Sequence, residues 1–150
     1  KFFLSIATTL VFTEALMVVS SMSLNLSPIA VTVCCATMFL MNFAMAGLAV
    51  GLGAMYPNFR EDNPARIVSG LGGTLNFILS MIYVTVVVLL EGVIFWQYTV
   101  RGGGGWLLSL LGMDFQQAIL LALAAVTVIS LFATVAPMYL GVRNVNRLEF

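Results

Sequence analysis

Apolar residues fall along this chain in four long runs, separated by short polar breaks. The runs are Phe2 to Met22, Ile29 to Met55, Leu71 to Trp96 and Phe115 to Leu140. Glu14 is the only charge in the first run and Glu91, near its end, the only one in the third; the second and fourth carry none. A hydrocarbon core about 30 Å thick is crossed by roughly 20 apolar residues in a helix, and each run meets that length. The pattern therefore predicts an all-α, polytopic integral membrane protein with four transmembrane helices. Loops 56–69 and 97–114 and a tail 141–150 leave no room for a separate soluble domain.

The breaks carry residues that stop and start helices. Asn25-Leu26-Ser27-Pro28 predicts a tight turn, with Pro28 in the first turn of the second helix. Tyr56-Pro57-Asn58 ends the second run, Asn63-Pro64 starts a new element, and Gly72-Gly73 marks the entry to the third run. Arg101 precedes four consecutive glycines, Gly102 to Gly105, and Gly141 is expected to stop the fourth helix. Positive charge then sets an orientation. If the spans alternate, Lys1, Arg60, Arg66, Arg143 and Arg147 share one side and Arg101 alone takes the other. Both ends of this portion are thus expected inside, with 56–69 and 141–150 cytoplasmic and 97–114 outside. Trp96, Tyr98 and Trp106 form the expected outer aromatic belt; Tyr56 and Tyr139 lie near the inner one.

Composition sharpens this picture. Of 150 residues, 61% are hydrophobic and 8% charged, with mean hydropathy +1.09; soluble domains carry roughly 25% charge. Net charge is zero, so no electrostatic footprint for nucleic acid exists. The chain contains no histidine, which removes the commonest general base and metal ligand. Cys34 and Cys35 are adjacent within an apolar run and read as small core or lipid-facing residues, since vicinal disulfides are strained.

Few residues remain for chemistry. Glu14 lies mid-span, where a carboxylate costs roughly 2.5 kcal/mol or more on insertion scales. It is expected to face protein, water or a partner, either as a pathway or proton-linked site or as a structural group paired with Asn42 or Asn76. Glu91 reads as a solvated rim residue of the outer loop or as an ion-pair partner of Arg101. Gly47 and Gly51 form one small-xxx-small step, a helix-packing seam within the chain or with another subunit. The inner loop holds Pro57, Phe59, Arg60, Glu61, Asp62, Asn63, Pro64 and Arg66. Asp62 or Asn63 can cap a short helix from Pro64, so this loop is either a docking element for a cytoplasmic partner or a plain connector. In the outer loop, Trp106 to Met113 is too short to span and too apolar for water, and fits a short interfacial or re-entrant helix. Gly102 to Gly105 lacks the GK[ST] and preceding strand of a phosphate-binding loop. No catalytic constellation, metal-ligand spacing or cofactor motif emerges, so the chain is not expected to be an enzyme.

The stretch Gly51 to Leu79, with Gly53-Ala54-Met55-Tyr56-Pro57-Asn58-Phe59-Arg60-Glu61-Asp62-Asn63-Pro64-Ala65-Arg66-Ile67 at its centre, resembles the G-A-x-[FY]-P-x-F-x-x-[ED]-N-P-x-x-[IV] segment of bacterial ABC exporter membrane subunits. The ending Gly141-Val142-Arg143-Asn144-Val145-Asn146-Arg147-Leu148-Glu149-Phe150 is similar to their G-x-R-x-x-x-R-L-E-x ending. Together the two motifs cover about 40 residues. The resemblance implies the C-terminal part of a longer type 2 ABC exporter permease in the bacterial inner membrane. It also implies a dimer of like or unlike membrane subunits, driven by a separate cytoplasmic ATPase that the loop from Pro57 to Arg66 would contact. A non-catalytic accessory or assembly subunit of a larger membrane complex is the competing expectation, with Glu14 and the glycine seam serving packing alone.

Overall fold

The computed structural model describes residues 2–56, 70–101, 110 and 112–148. It contains four helices: α1 (Phe2–Ser23), α2 (Pro28–Met55), α3 (Leu71–Arg101) and α4 (Phe115–Leu148). No strand occurs among the described residues. All four helices are long and apolar enough to cross a membrane.

The first turn follows from its sequence. Asn25 takes a positive φ of 50°, a conformation that asparagine tolerates better than other side chains with a Cβ. That lets Leu26 N–H reach Ser21 O at 3.2 Å and Asn25 N–H reach Met22 O at 3.3 Å, which satisfies the last carbonyls of α1. Ser27 then caps α2, its hydroxyl accepting from Ala30 N–H at 3.3 Å, and Pro28 occupies the first helical position, where no N–H is needed.

The bundle is organised around α2 and α4, which share its largest interface. They run parallel: Pro28 and Ile29 lie beside Gln116 and Ile119 at one end, and Asn144 donates to Met55 O at 2.7 Å at the other. Glycines set how closely the two helices approach. A methyl group placed on Gly47 would stand 2.6 Å from Thr134 Cα, and one on Gly51 would stand 2.6 Å from Pro137 Cβ. Both distances are far inside van der Waals contact, so only a hydrogen fits. Gly141 answers from α4, where a methyl would stand 2.7 Å from Gly51 O. Gly53 faces away, with nothing within 4 Å.

The expected helix stop at Gly141 is corrected by this packing. Gly141 is buried inside α4, which continues to Leu148, and its missing side chain serves the contact with α2 rather than a turn. Similarly α3 runs past Trp96 to Arg101, so Gln97, expected in the outer loop, is helical and 1% exposed.

α3 runs antiparallel to its neighbours and lies against both α2 and α4, burying Ser80, Tyr83, Val87, Glu91 and Ile94 along one face. Two apolar cores result. Ala44, Tyr83, Val87 and Val126 pack together at one level, and Val33, Ile94, Ala118, Ile119 and Ala122 at another. Nearby, Phe115 stacks on Tyr98 with ring centroids 4.0 Å apart and meets Phe95 edge-on at 5.9 Å. α1 packs on α2 and leaves Phe3, Leu4, Val11, Phe12, Leu16 and Met22 exposed. Such a face is unstable in water and at home in lipid.

Candidate functional site

The polar side chains of the four helices converge on the middle of the bundle. Between α1 and α2, Asn42 donates to Thr13 Oγ1 at 2.9 Å and to Met38 O at 2.9 Å. One residue along α1, Glu14 lies near Cys35 of α2. Between α2 and α3, Thr37 Oγ1 donates to Glu91 Oε1 at 2.5 Å, with both residues buried. Between α3 and α4, the hydroxyls of Tyr83 and Ser130 share a hydrogen bond of 2.8 Å, and Ser130 also donates to Val126 O.

These contacts form a belt. On α2 they span Cys35 to Asn42, about 11 Å of helix axis at about 1.5 Å per residue, near the helix centre. Each interface between neighbouring helices in chain order carries one hydroxyl-based contact. In hydrocarbon a polar group without a partner is costly, so pairing these groups selects this arrangement of helices over others. Three further oxygens, Glu14 Oε1, Asn76 Oδ1 and Gln97 Oε1, are shielded without a hydrogen-bond partner.

The structure separates residues that the sequence placed together. Glu14 neighbours Cys35; Asn42 bonds Thr13 instead of Glu14, and Asn76 stands on α3. Glu91 is not a rim residue of the outer loop. It is 9% exposed and points between α2 and α3, because residue 91 falls on the same helical face as Ser80, Tyr83 and Val87. Gly47 and Gly51 contact Thr134 and Pro137 of the same chain. Arg101 is the last residue of α3. The candidate docking residues Pro57, Phe59, Arg60, Glu61, Asp62, Asn63, Pro64 and Arg66 lie outside the described residues, as does Trp106 with most of the expected re-entrant helix. Cys34 and Cys35 are free thiols.

Thr13, Thr37, Tyr83 and Ser130 went unnoticed in the sequence. Asn76, Ser80, Tyr83 and Glu91 do recur at helical spacing, one polar face along an otherwise apolar span, and that signal was legible. Nothing in the sequence names the partners on α2 and α4, because single hydroxyl residues in apolar runs also bond back to their own helix, as Thr32, Thr85, Thr127 and Thr134 do. Removing the phenol of Tyr83 is expected to weaken the α3–α4 contact while keeping its ring in the core. Tyr83→Phe should cost about 0.5–1.5 kcal/mol in an unfolding titration in mild detergent, and Ser130→Ala at least as much, since it leaves the buried Tyr83 hydroxyl without its partner.

The belt offers hydroxyl, thiol, amide and carboxyl groups on the inner faces of membrane-length helices. Among the described residues no three Cys, Asp or Glu side chains come together to hold a metal ion. Comparison with known proteins assigns the chain to a family. No curated protein and no solved structure matches it. The family described as "Putative ATP-binding cassette" matches residues 1–150. With the match running from the first residue to the last, the chain belongs to this ATP-binding cassette family.

Proposed function

We propose that the chain is a membrane-spanning permease part of an ABC-type exporter, driven by ATP hydrolysis on a separate cytoplasmic subunit. The observation that carries this reading is the combination of an ATP-binding cassette family match over all 150 residues with four helices of membrane-crossing length. The family's description names ATP binding, yet the phosphate-binding loop of such ATPases needs a lysine after its glycines. The only lysine of this sequence is Lys1. Nucleotide chemistry therefore belongs to another part of the transporter, and these 150 residues supply the path. In this reading the end of the bundle with Met55, Gly72 and Asn144 faces the cytoplasm, following the positive charges. The loop from Pro57 to Arg66 meets the ATPase, and the polar belt lines or braces the route between paired membrane subunits.

Purification from its native membrane in mild detergent tests the assignment. An ATPase carrying a phosphate-binding loop is expected to co-purify in stoichiometric amount, with turnover that rises when both are reconstituted in lipid. A folded bundle that retains no such ATPase, or that leaves ATP turnover unchanged, overturns the proposal. Arg60→Ala with Arg66→Ala tests the docking loop separately. Co-purification should fall at least tenfold while the bundle's unfolding curve stays where it was, and undiminished co-purification removes the loop from the interface.

A further inference from the structure

At the end of the bundle where α2 finishes and α4 runs on, a pocket of about 450 Å³ is lined by Met55, Tyr56, Leu140, Arg143 and Asn144. Its walls are fixed by the Asn144 bond to Met55 O at 2.7 Å, which ties the last turn of α2 to α4. Tyr56 N–H in turn bonds Leu52 O at 3.1 Å. One residue before Asn144, Arg143 is exposed to the pocket and its surroundings. The three carboxylates among the described residues stand elsewhere: Glu14 beside Cys35, Glu91 on Thr37, and Asp114 just before α4 at the opposite end.

Depth identifies the kind of ligand that meets this pocket. The apolar window of α4 runs for 30 residues, Phe115 to Asn144. At about 1.5 Å per residue that is about 45 Å, enough to cross the hydrocarbon and reach both headgroup layers. In a bilayer centred on that window, Arg143 and Tyr56 fall at headgroup depth, with Leu140 about one turn deeper. A guanidinium offers a planar fork of donors that matches two phosphate oxygens. A phenol at the interface adds one more donor, and Met55 and Leu140 supply an apolar wall for the glycerol and first methylenes.

From this geometry we infer that the pocket binds the phosphate headgroup of an anionic phospholipid, with Arg143 as its main ligand and Tyr56 as a second donor. Net negative lipids are favoured over zwitterionic ones because the bound phosphate is then not neutralised by its own choline or ethanolamine. The site lies away from the polar belt and does not depend on ATP.

The test uses the whole chain in mild detergent, titrated with phosphatidylglycerol, phosphatidylcholine or inorganic phosphate and read by native mass spectrometry and thermal midpoint. Phosphatidylglycerol is expected to bind at least tenfold more tightly than phosphatidylcholine and to raise the midpoint, while millimolar inorganic phosphate leaves it unchanged. Arg143→Gln should weaken phosphatidylglycerol binding about tenfold and Tyr56→Phe several-fold, with unfolding curves in phosphatidylcholine unchanged for both. Equal binding of the two lipids overturns the inference. So does undiminished binding to Arg143→Gln. An inorganic phosphate effect as large as that of the lipid also overturns it, by making the pocket a free-anion site.

Discussion

Gly51→Leu is expected to separate α2 from α4 and to cost at least about 3 kcal/mol, at or beyond the upper end of ordinary overpacking. The cause is local and geometric. Even the first carbon of a side chain at this position would stand 2.6 Å from Pro137 Cβ, and closer still to the Pro137 carbonyl carbon. Those atoms are backbone and ring, and they cannot rotate aside as the tip of a flexible side chain can. The two helices must move apart along the largest interface in the bundle, and the contacts of Gly141 with Gly51 O and Ala54 would go with them. Gly51→Ala should show the same effect in smaller measure. Gly53→Leu is the matched control. It adds the same bulk two residues away, where nothing stands within 4 Å, and should stay within about 0.5 kcal/mol of the parent. Unfolding midpoints in mild detergent decide the matter, and equal tolerance at positions 51 and 53 would refute the seam.

The second large effect is expected at Glu91. Glu91→Ala removes the acceptor of the Thr37 hydroxyl and leaves a hole between α2 and α3, for a combined cost of about 2–4 kcal/mol. Glu91→Gln keeps the volume and an oxygen to accept from Thr37, so it should stay within about 1 kcal/mol of the parent. Thr37→Val keeps the shape but leaves a carboxyl oxygen unpaired inside the bundle, at about 1–2 kcal/mol. Hydrogen bonds between membrane helices are worth about 0.6 kcal/mol on average and about 1.7 at most. The coupling between Thr37→Val and Glu91→Ala in a double-mutant cycle should fall in that range. Strict additivity would mean that the 2.5 Å contact contributes nothing, and that Glu91 is held by packing alone.

The exporter reading adds a functional expectation to the same variants. If the polar belt lines the transport route, Glu91→Gln should lower transport although the bundle stays intact. If the belt only braces the helices, transport should track stability across the series.

Much of the architecture could be read before any coordinates. Four runs of apolar residues longer than 20 leave the chain little choice but membrane-length helices, since backbone polar groups in hydrocarbon must be satisfied within the segment itself. The turn at Asn25 and the helix start at Pro28 were equally local, each set by one residue's backbone preference. The small-xxx-small step of Gly47 and Gly51 was visible too, but not what it packs against. The helix ends were misjudged where glycine has two uses. Gly141 satisfies a helix-stop rule and a close-packing rule alike, and only the presence of Gly51 and Ala54 opposite selects the second. Glu91 was misplaced for a related reason: its distance along the chain from Trp96 suggests the rim, while its angle around α3 points it at Thr37.

Sequence alone determined that lipid is the solvent, that helices are the elements, and where most of them start. Those properties depend on single residues or on runs of neighbours, and need no knowledge of what lies across an interface. Tertiary structure alone decided that α2 and α4 are parallel partners, that Glu91 faces Thr37 and Asn42 faces Thr13, and that Tyr56 and Arg143 share a pocket. Each of these joins residues 29 or more positions apart in the chain. In an apolar helix every face buries almost equally well in lipid, so hydrophobicity gives no bearing on which face meets which. The few polar side chains and the absent side chains of three glycines supply that bearing, through contacts that exist only once the helices are side by side.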